Sequence, residues 1–396
     1  MTNKAKEWRT VRLGELVKFA SGGTPCREVP RFWNGAIPWL SAKDMKKFRL
    51  NDSIEKITSE WVSNGIRLIE AGSVLILVRG MTLLKDVPLG VTERVVAYNQ
   101  DLKALIPNRE INAYYLGFYL AAHKSRLLKL VDRTSHGAGR LSGDLLRSFE
   151  IELPGMEEQR KIADILLTWD RAIERSDMRV AAKSRLKRGL LEQLLTGRKR
   201  LDDFDGQTWR SVRLGDVAAE SKLKNDGTLT EKDLYAVARD KGMVQARKKI
   251  RSEDIRRCKM VRENWFVYDP MRLSSGSIAK WSGPGDALAP ADYIVFKCNE
   301  SQLDPEFLNH LRFSHQWAQF AEDAGNARPR TRFSDLADLK LALPSLDEQR
   351  RIAAILSACD RELELLRRQL ATLKRQKQGL MRKLLTGQIR VRVENS

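Results

Sequence analysis

Arginine recurs at alternate positions in one short stretch of the sequence, NARPRTR, which contains Arg328, Arg330 and Arg332. Packing three guanidinium groups side by side is costly unless an anion lies among them, because Arg does not lose its charge. A phosphate, or the O6 and N7 edge of guanine, offers acceptors that fit these donors. A second basic loop, SHGAGR, contains His136 and Arg140. Both loops are therefore predicted to contact a polyanion.

Further candidates lie in or beside predicted loops, where donors can reach phosphates or base edges. They are Arg79, Arg272, Lys43 and the Gly22-Gly23-Thr24 run. For Arg79, which ends the apolar run VLILV, we expect contact with nucleic acid. A plain turn explains the glycine run equally well, and an ordinary solvated side chain explains Lys43 and Arg272.

Sequence motifs of catalysis and metal binding are absent. The segment YDPM, residues 268–271, lacks the second proline and the closing aromatic residue of the adenine methyltransferase motif. The segment DLK, residues 338–340, matches a nuclease tripeptide, but no suitably spaced Pro-Asp precedes it. The sequence has no H-E-x-x-H or Walker A motif, and its four cysteines are widely scattered. We therefore expect this chain to hold no catalytic residues, no metal and no cofactor.

The charge balance favours a polyanionic partner. Lys and Arg number 71 against 51 Asp and Glu, for a formal net charge of +20 over 396 residues. This excess is larger than solubility requires. Nucleic acid is the leading candidate, and an anionic membrane surface is the rival. The longest aliphatic run, Val74 to Val78, is far shorter than the ~18 residues of a membrane span, and the polar start lacks a signal-peptide core, so we expect a cytoplasmic protein.

The sequence contains two copies of a common frame. LPGMEEQRKIADILLTWDR, from Leu153, returns as LPSLDEQRRIAAILSACDR, from Leu343, and both matches extend to LLTG. EWRTVRLGEL, from Glu7, likewise returns as TWRSVRLGDV, from Thr208. The segments between the shared blocks differ, and a period of about 200 residues is far above that of solenoid repeats. We therefore predict a duplicated domain pair that holds two different binding domains in a fixed geometry.

Each block that begins LPxxxEQR predicts a long helix, which starts near residue 156 in the first copy and near residue 346 in the second. Ser345-x-x-Glu348 has the spacing of a capping box. Gly197 and Gly387 supply the glycine expected just past a helix end. Each helix would have nearly 40 residues, or about 60 Å at 1.5 Å per residue.

Apolar residues in these two blocks follow a heptad spacing, which predicts a coiled-coil seam. A single helix would expose the seam, so we expect the two helices to pair. The pair would be antiparallel if the copies are related by a twofold axis, with one variable domain at each end. An ordinary helical core or an oligomerisation element is the alternative. The residues assigned to helix packing are Ile162, Leu166, Trp169, Ile173, Ile352, Leu356, Leu363, Leu366, Leu370 and Leu373.

The variable segments are predicted to be mixed α/β domains of short strands and a helix. We expect strands at Ser73–Val78, Lys103–Ile106 and Tyr293–Lys297, and helices at Ala113–Val131 and Pro305–Ala321. Aromatic residues in those helices have helical spacing, which indicates core packing and not base stacking.

Three features together resemble the specificity subunit of type I restriction-modification enzymes: the duplicated LPxxxEQRxIAxIL helix, the W-R-x-V-R-L-G start of each copy, and GGTP…IPWLSAKDM, residues 22–45. The resemblance covers nearly the whole chain. It implies two target-recognition domains, at residues 1–152 and 201–342, each reading one half of a split, asymmetric DNA sequence. It also implies that the helical regions, residues 153–200 and 343–396, form an antiparallel coiled coil that sets the half-site spacing.

The same resemblance implies a non-catalytic subunit of a host-defence complex. Its expected partners are double-stranded DNA, two methyltransferase subunits docked on the helices, and ATP-driven restriction subunits. S-adenosylmethionine, ATP and Mg²⁺ are expected on those partners, which also flip the target base. In the first domain, the family's strand followed by R-G corresponds to VLILVRGM, residues 74–81, and its Asn-Gln step to Asn99-Gln100. The second domain departs from this form and has no GGTP loop.

Two other functions stay open at this point. A coiled-coil scaffold whose variable domains bind proteins would show no strongly salt-dependent affinity for DNA. A solitary nuclease or methyltransferase would modify DNA when supplied with Mg²⁺ and cofactor.

Overall fold

The computed structural model of the chain describes residues 8–63, 67–238, 242–246, 255–315, 317, 319–320 and 330–392. The chain divides into two compact units. The first unit consists of Met1–Ser176 and Gln369–Ser396, and the second unit of Asp177–Arg368. Each unit therefore contains one variable segment, the start of the long helix that follows it, and the end of the other long helix.

The first unit combines short helices with many short strands. Its helices are α1 (Leu13–Leu16), α2 (Ser59–Ser63), α3 (Ala113–Ala122), α4 (Lys124–Leu128), α5 (Gly143–Arg147) and the start of the first long helix, α6 (Met156–Leu194). Its strands are β1 (Arg9–Arg12), β2 (Val17–Ser21), β3 (Trp33–Leu40), β4 (Arg49–Leu50), β5 (Glu55–Ile57), β6 (Val74–Leu77), β7 (Arg79–Gly80), β8 (Leu89–Thr92), β9 (Ala97–Tyr98), β10 (Leu102–Pro107), β11 (Val131–Arg133), β12 (Gly139–Leu141) and β13 (Glu150–Leu153). Short 3₁₀ turns lie at Pro30–Phe32 and Met81–Leu84.

The main sheet of the first unit has the strand order β2-β10-β6-β8-β4. All four residues of β6 are fully buried, as expected of an apolar run that is covered on both faces. Two three-stranded sheets, β5-β3-β9 and β11-β12-β7, accompany it. Tyr115, Phe118 and Tyr119 of α3 are buried in the same core, which confirms that these aromatic residues pack and do not form a stacking platform.

The second unit repeats this plan with different inserts. Its helices are α7 (Leu214–Val217), α8 (Pro305–Leu311), α9 (Phe333–Ala337) and the start of the second long helix, α10 (Leu346–Leu385). Its strands are β14 (Arg210–Arg213), β15 (Ala218–Ser221), β16 (Tyr235–Ala238), β17 (Gly242–Gln245), β18 (Lys259–Val261), β19 (Phe266–Tyr268), β20 (Ile278–Lys280), β21 (Ala287–Ala289), β22 (Ile294–Cys298) and β23 (Lys340–Leu343). Short 3₁₀ turns lie at Asp202–Phe204, Glu231–Asp233 and Ile255–Arg257. Within the described residues, the main sheet has the order β15-β22-β19-β20, and β14-β23, β16-β17 and β18-β21 form separate pairs.

In each unit the repeated W-R-x-V-R-L-G block pairs with the strand that leads into a long helix. β1 is antiparallel to β13, and β14 is antiparallel to β23. The glycine of the block lies against the short helix that precedes the last strand of its unit, α5 or α9. A Cβ atom on Gly14 would come within 3.2 Å of the Arg147 Cβ, and one on Gly215 within 2.9 Å of the Ala337 Cβ. The repeated motif is thus a packing requirement of the frame in both units.

The Gln of each EQR sequence joins a long helix to its variable domain. The Gln159 amide accepts from the Asn112 N–H at 2.8 Å and donates to the carbonyl oxygens of Pro154 and Glu110. Gln349 makes the equivalent three bonds, to Asp304, Pro344 and Gln302. Both Gln side chains are buried, and a buried amide requires such partners. These bonds explain why both helices begin at the predicted positions.

The capping box predicted at Ser345 and Glu348 is only half formed. The Ser345 hydroxyl accepts from the Glu348 N–H at 3.4 Å, but the Glu348 carboxylate turns away from the cap. Arg200 donates to both of its oxygens, at 2.8 and 2.7 Å. Glu348 is fully buried, where an unpaired carboxylate would be very costly. In the first unit, Glu158 pairs with Arg390 in the same way.

The predicted seam of the long helices is buried near the variable domains and partly exposed elsewhere. Ile162 and Leu166 belong to the core of the first unit, and Ile352 and Leu356 to the core of the second. Leu363 is also buried. The remaining residues assigned to helix packing are partly buried: Trp169, Ile173, Leu366, Leu370 and Leu373. The helices contain 39 and 40 residues, which confirms their predicted length.

Polar residues that interrupt the seam form ion pairs between the two helices. In the first unit the Lys377 Nζ lies 2.5 Å from the Asp170 Oδ1, and in the second the Lys187 Nζ lies 2.5 Å from the Asp360 Oδ1. Lys183 likewise pairs with Glu362. In the second unit the partners advance from Lys183 to Lys187 as they retreat from Glu362 to Asp360. In the first unit they advance from Glu158 to Asp170 as they retreat from Arg390, just past the helix, to Lys377. The long helices are therefore antiparallel, as predicted.

Two helices predicted in the variable segments are shorter than expected. The helix predicted over Ala113–Val131 ends at Ala122, and Val131 begins strand β11. His123 breaks it with φ −103° and ψ 22°, and its Nδ1 lies 2.8 Å from the Tyr119 carbonyl oxygen. The helix predicted over Pro305–Ala321 is interrupted: α8 ends at Leu311, residues 312–314 form a turn, and residues 315, 317, 319 and 320 are helical again. Residue 321 lies outside the described residues. The three predicted strands are confirmed as β6, β10 and β22.

Candidate nucleic-acid interface

Two arginines of the first unit face each other across neighbouring strands. β7 and β12 are antiparallel, and Arg79 lies opposite Arg140. Both side chains are exposed, and like charges directly opposite on two strands are destabilising. Glycine lets the strands approach, since Gly80 has a φ of +139° and a Cβ on Gly139 would come within 2.7 Å of the Leu83 Cβ. An anion between the guanidinium groups would relieve their repulsion.

The two arginines border a cleft of about 330 Å³, here called the first-unit cleft. It is lined by Ser21, Val78, Arg79, Gln100, Lys103, Arg140, Leu141, Gly143 and Leu146. The lining residues include three cations and no carboxylate. Lys103 is held in place because its Nζ donates to the Ser21 Oγ at 2.6 Å. Arg and Gln present the paired donors and acceptors that read guanine and adenine, and Lys suits phosphate.

The Gly22-Gly23-Thr24 run forms a fixed loop beside this cleft. A Cβ on Gly22 would come within 2.1 Å of the Tyr98 carbonyl oxygen, and the Gly23 N–H donates to that oxygen at 2.9 Å. The Thr24 Oγ1 lies 2.6 Å from the Gln100 Oε1. Close packing of backbone therefore explains Gly22, and Thr24 orients a residue that lines the cleft.

Lys43 lies apart from the cleft lining. It is exposed in the turn that follows β3. The turn is held by Asp44, which accepts from the Ser41 hydroxyl at 2.9 Å and from the Ile54 N–H at 2.8 Å. Contact of Lys43 with nucleic acid stays a prediction.

The second unit brings its basic residues together through a different loop. The Thr331 N–H donates to the Pro270 carbonyl oxygen at 2.9 Å, which places Arg330 and Arg332 beside the loop that carries Arg272. In the first unit, the Leu141 N–H donates to the Val78 carbonyl oxygen in the equivalent place. The two units thus present basic residues at one common position of the frame.

Among the described residues, the candidate contact arginines of the second unit have few partners. Arg272 is exposed, and its Nε lies 3.8 Å from the Asp269 carboxylate. The Arg330 Nη2 donates to the Asp292 carbonyl oxygen at 3.2 Å. Arg332 is exposed, and its backbone N–H donates to the Asp335 carboxylate at 2.8 Å. Arg328 lies outside the described residues.

Lys103, Gln100 and Lys259 were not singled out as contacts by sequence reasoning. Lys259 lies on β18, and its Nζ donates to the Tyr293 carbonyl oxygen at 2.6 Å. Burial lowers the pKa of Lys259, and the nearby Arg330 lowers it further, against the opposing effect of Glu220. A charged residue inside an otherwise apolar strand, as in LKALIP, is the sequence signal that points to Lys103.

The described part of the chain contains no cluster of three or more His, Cys, Asp or Glu side chains arranged to hold a metal ion. Among the same residues, no helix combines the length and the apolar character needed to cross a membrane.

Comparison with known proteins shows what the chain is similar to. The family model described as the type I restriction modification DNA specificity domain matches residues 5–179 and 271–375. A solved S subunit of a type I restriction-modification system from M. genitalium has a TM-score of 0.62 with 14% sequence identity, covering 97% of this chain and 98% of that one. This likeness supports the fold.

Two curated relatives extend the comparison. The EcoR124I/EcoR124II specificity subunit of Escherichia coli is 36% identical over 166 residues, which span 41% of either chain. The MjaIX specificity subunit of Methanocaldococcus jannaschii is 21% identical over 419 aligned positions, covering 98% of this chain and 94% of the relative. With the family model matched in both halves of the sequence, this chain belongs to the specificity subunits of type I restriction-modification systems.

Proposed function

We propose that this chain reads a bipartite, asymmetric DNA target, one half-site with each variable domain. The first domain, residues 1–152, and the second, residues 201–342, carry different basic loops on the same frame. The observation that supports this most directly is the first-unit cleft. Arg79 and Arg140 lie opposite each other there beside Lys103, with no carboxylate in the lining.

Within that cleft we assign separate tasks to the cations and to the amide. Lys103 neutralises a phosphate, while Arg79 and Arg140 present donors to a phosphate or to guanine. Gln100, oriented by Thr24, is suited to the N6 and N7 edge of adenine. In the second domain, Arg272, Arg330 and Arg332 read the other half-site, together with Arg328.

The helical regions, residues 153–200 and 343–396, set the distance between the half-sites and dock two methyltransferase subunits. The ion pairs of Lys377 with Asp170 and of Lys187 with Asp360 support this, because they specify how far the antiparallel helices overlap. A defined overlap is what a spacer of constant length requires.

The subunit itself is non-catalytic and acts in the cytoplasm. Methyltransferase partners hold S-adenosylmethionine, flip an adenine in each half-site and methylate it. Restriction subunits bring ATP-driven and Mg²⁺-dependent chemistry to the same complex. The task of this chain is to bind, orient and discriminate.

The half-site assignment is tested by changing both arginines of the cleft. The complex with Arg79→Ala and Arg140→Ala should bind its target about 100-fold more weakly, because each lost contact is worth about 1–3 kcal/mol. The preference at one half-site should relax while the other is unchanged. Binding is measured on duplexes that vary one half-site at a time. Arg133→Ala, on the exposed strand β11, is the matched control.

A complex of the wild-type chain that prefers no bipartite sequence, in binding or in methylation mapping, would refute the proposal. A protein-binding scaffold is distinguished by salt. If several phosphates are neutralised, affinity for DNA should fall by orders of magnitude between about 50 and 200 mM salt. An affinity that does not change over that range would favour the scaffold.

Helix length is tested separately. Insertions or deletions in the first long helix, between Ser176 and Lys187, should change the preferred spacer and leave both half-sites unchanged. Methylome sequencing of cells that carry each variant measures both properties at once. A changed half-site with a constant spacer would contradict the spacing role.

A further inference from the structure

A cleft of about 780 Å³ opens in the second unit between α8 and the second long helix, and is here called the second-unit cleft. Four carboxylates and two guanidinium groups are among the residues that line it. Three of the carboxylates already have partners within the unit, and one of these, Asp304, accepts from the Phe307 N–H as the cap of α8. The Lys280 Nζ lies 2.7 Å from Glu306, and the Lys187 Nζ lies 2.5 Å from Asp360. Glu364, on the second long helix, has a largely exposed carboxylate that pairs with Arg368 along the helix surface, an arrangement of little energetic value.

The internal duplication identifies the counterpart of this cleft in the first unit. The long helices align with a constant offset, so Glu364 corresponds to Glu174. α3 and α8 align from their capping residues, Asn112 and Asp304, which make the same bond to a Gln of the EQR motif. On this alignment of α3 with α8, Glu306 corresponds to Tyr114 and Asn309 to Gly117. Ser282 corresponds to Glu93, as counted along β20 and β8 from their equivalent strand pairings.

In the first unit, this place is filled by two residues of the chain itself. The Arg49 Nη2 lies 2.6 Å from the Glu174 carboxylate, and its Nη1 lies 3.4 Å from that of Glu93. Phe48, the preceding residue, stacks on Phe118 with ring centroids 4.3 Å apart. Strand β4 carries Arg49 and pairs with β8 at the edge of the main sheet. In the first unit, an arginine with an aromatic neighbour therefore occupies this position.

In the second unit, no described strand pairs with β20 as β4 pairs with β8, although β17 packs against β20. His310 replaces Phe118 and is 2% exposed, and its Nδ1 has no hydrogen-bond partner among the described residues. The imidazole faces the lining of the cleft. Its Nε2 lies 2.9 Å from the Ser357 Oγ, and its Nδ1 lies 3.9 Å from the Asp360 carboxylate. A buried nitrogen without a partner, next to an exposed carboxylate, indicates a site that is completed by another molecule.

We infer that the second-unit cleft docks an arginine-bearing segment of a protein partner, which supplies from outside the contact that Arg49 makes within the first unit. The partner's guanidinium pairs with Glu364, and its neighbouring side chain covers the position above Asn309. On the proposed function, on which this inference rests, the partner is a methyltransferase subunit. The site makes docking on the second unit chemically different from docking on the first.

The inference is tested with the full-length chain and its methyltransferase subunit. Glu364→Lys reverses the charge of the cleft, and Ser282→Arg supplies a competing guanidinium from the chain itself. Glu300→Lys makes the same charge change at an exposed position outside the lining and is the matched control. Binding of methyltransferase subunits is measured by calorimetry, DNA affinity of the chain alone by titration, and folding by thermal melting.

We expect both cleft variants to weaken one of two methyltransferase binding steps by at least tenfold, while the other step and the DNA affinity stay as in the control. Wild-type affinity at both steps in a folded variant would overturn the inference. If Glu364→Lys does not fold, the result for Ser282→Arg alone decides whether the inference holds. A wild-type chain that dimerises alone, and becomes monomeric in these variants, would assign the cleft to a second copy and also overturn it. A wild-type chain that binds no methyltransferase subunit would instead refute the proposed function.

Discussion

Phe118 and His310 occupy the same place in their respective helices, and each lies beside an ion pair that joins the two long helices. In the first unit, the Lys377 ammonium lies 4.9 Å from the centre of the Phe118 ring, and both members of its pair with Asp170 are only 16% exposed. In the second unit, Asp360 is 46% exposed and lines an open cleft. The aspartate of this repeated pair is thus sealed in one unit and accessible in the other, whereas the lysine is 16% exposed in both.

The cause of this difference lies in the variable segments. Phe48, which precedes strand β4, lies beside the ion pair of the first unit, with the Lys377 ammonium 5.8 Å from its ring centre. No described strand of the second unit pairs with β20 in the place of β4. A repeated frame therefore does not guarantee equal energetics, because burial of the frame depends on the insert that packs on it. Comparing equivalent substitutions in the two units measures that dependence directly.

The largest difference is expected at the paired arginines of the frame. Arg200→Ala should lower the free energy of unfolding by about 4 kcal/mol, because fully buried Glu348 loses its partner. Arg390→Ala should cost about 2 kcal/mol, because the Trp8 Nε1 still donates to Glu158 at 3.2 Å. Denaturant unfolding of the full chain measures both. Arg198→Ala, in a surface pair with Glu192, is the control, and equal losses for Arg200 and Arg390 would contradict this view.

A smaller difference is expected at the aspartates that pair across the helices. Asp170→Ala leaves a largely buried Lys377 without its carboxylate and should cost about 3 kcal/mol. Asp360→Ala should cost less, about 1 kcal/mol, because water reaches the half-exposed Asp360 and screens its pair with Lys187, although Lys187 is as buried as Lys377. Hydrogen exchange of amides in each unit reports the two values separately. If Asp360→Ala lowered the free energy of unfolding more than Asp170→Ala, the exposure of the aspartate would not explain the difference between the units.

The smallest effect is a dependence on pH in the second unit. Burial lowers the pKa of His310, and Lys187 and Arg312 lower it further, while Glu306 and Asp360 oppose them. A His with a lowered pKa in the folded state binds fewer protons than in the unfolded state. Stability should therefore be complete above about pH 6.5, the ordinary His pKa, and should decline as the pH falls below it.

The variant His310→Gln tests this pH dependence. Exchange protection in the second unit should fall between pH 7 and pH 5 in the wild type, and less steeply in the variant. His123 of the first unit also has a pKa lowered by burial, so its own variant, His123→Gln, is needed to separate the two contributions. An unchanged slope in His310→Gln would remove His310 as the cause.

Sequence reasoning was most successful where the information is local or repeated. The starts of the long helices, their length and their antiparallel pairing follow from the EQR blocks, the heptad spacing and the duplication. The predicted capping box was half wrong, because Glu348 forms an ion pair with Arg200, which is 148 positions away. A contact at that distance leaves no trace in the local pattern.

The basic residues likewise separate what the local sequence indicates from what only the tertiary structure shows. Arg79 and Arg140 were each recognisable as an exposed arginine in a predicted loop. That they lie opposite each other, with Lys103 and Gln100 in one cleft, depends on the pairing of β7 with β12 and of β10 with β2 and β6.

Period and motif spacing were sufficient to specify a duplicated frame and two long helices, and the charge favoured a polyanionic partner. Those properties depend on neighbours along the chain, where side-chain periodicity and capping act. The neighbours of Glu364 and Asp170, the sealing of one ion pair and the opening of the other depend on strand order and on which insert covers the frame. Only the tertiary structure decides these properties, because burial depends on contacts between surfaces that are distant in the sequence.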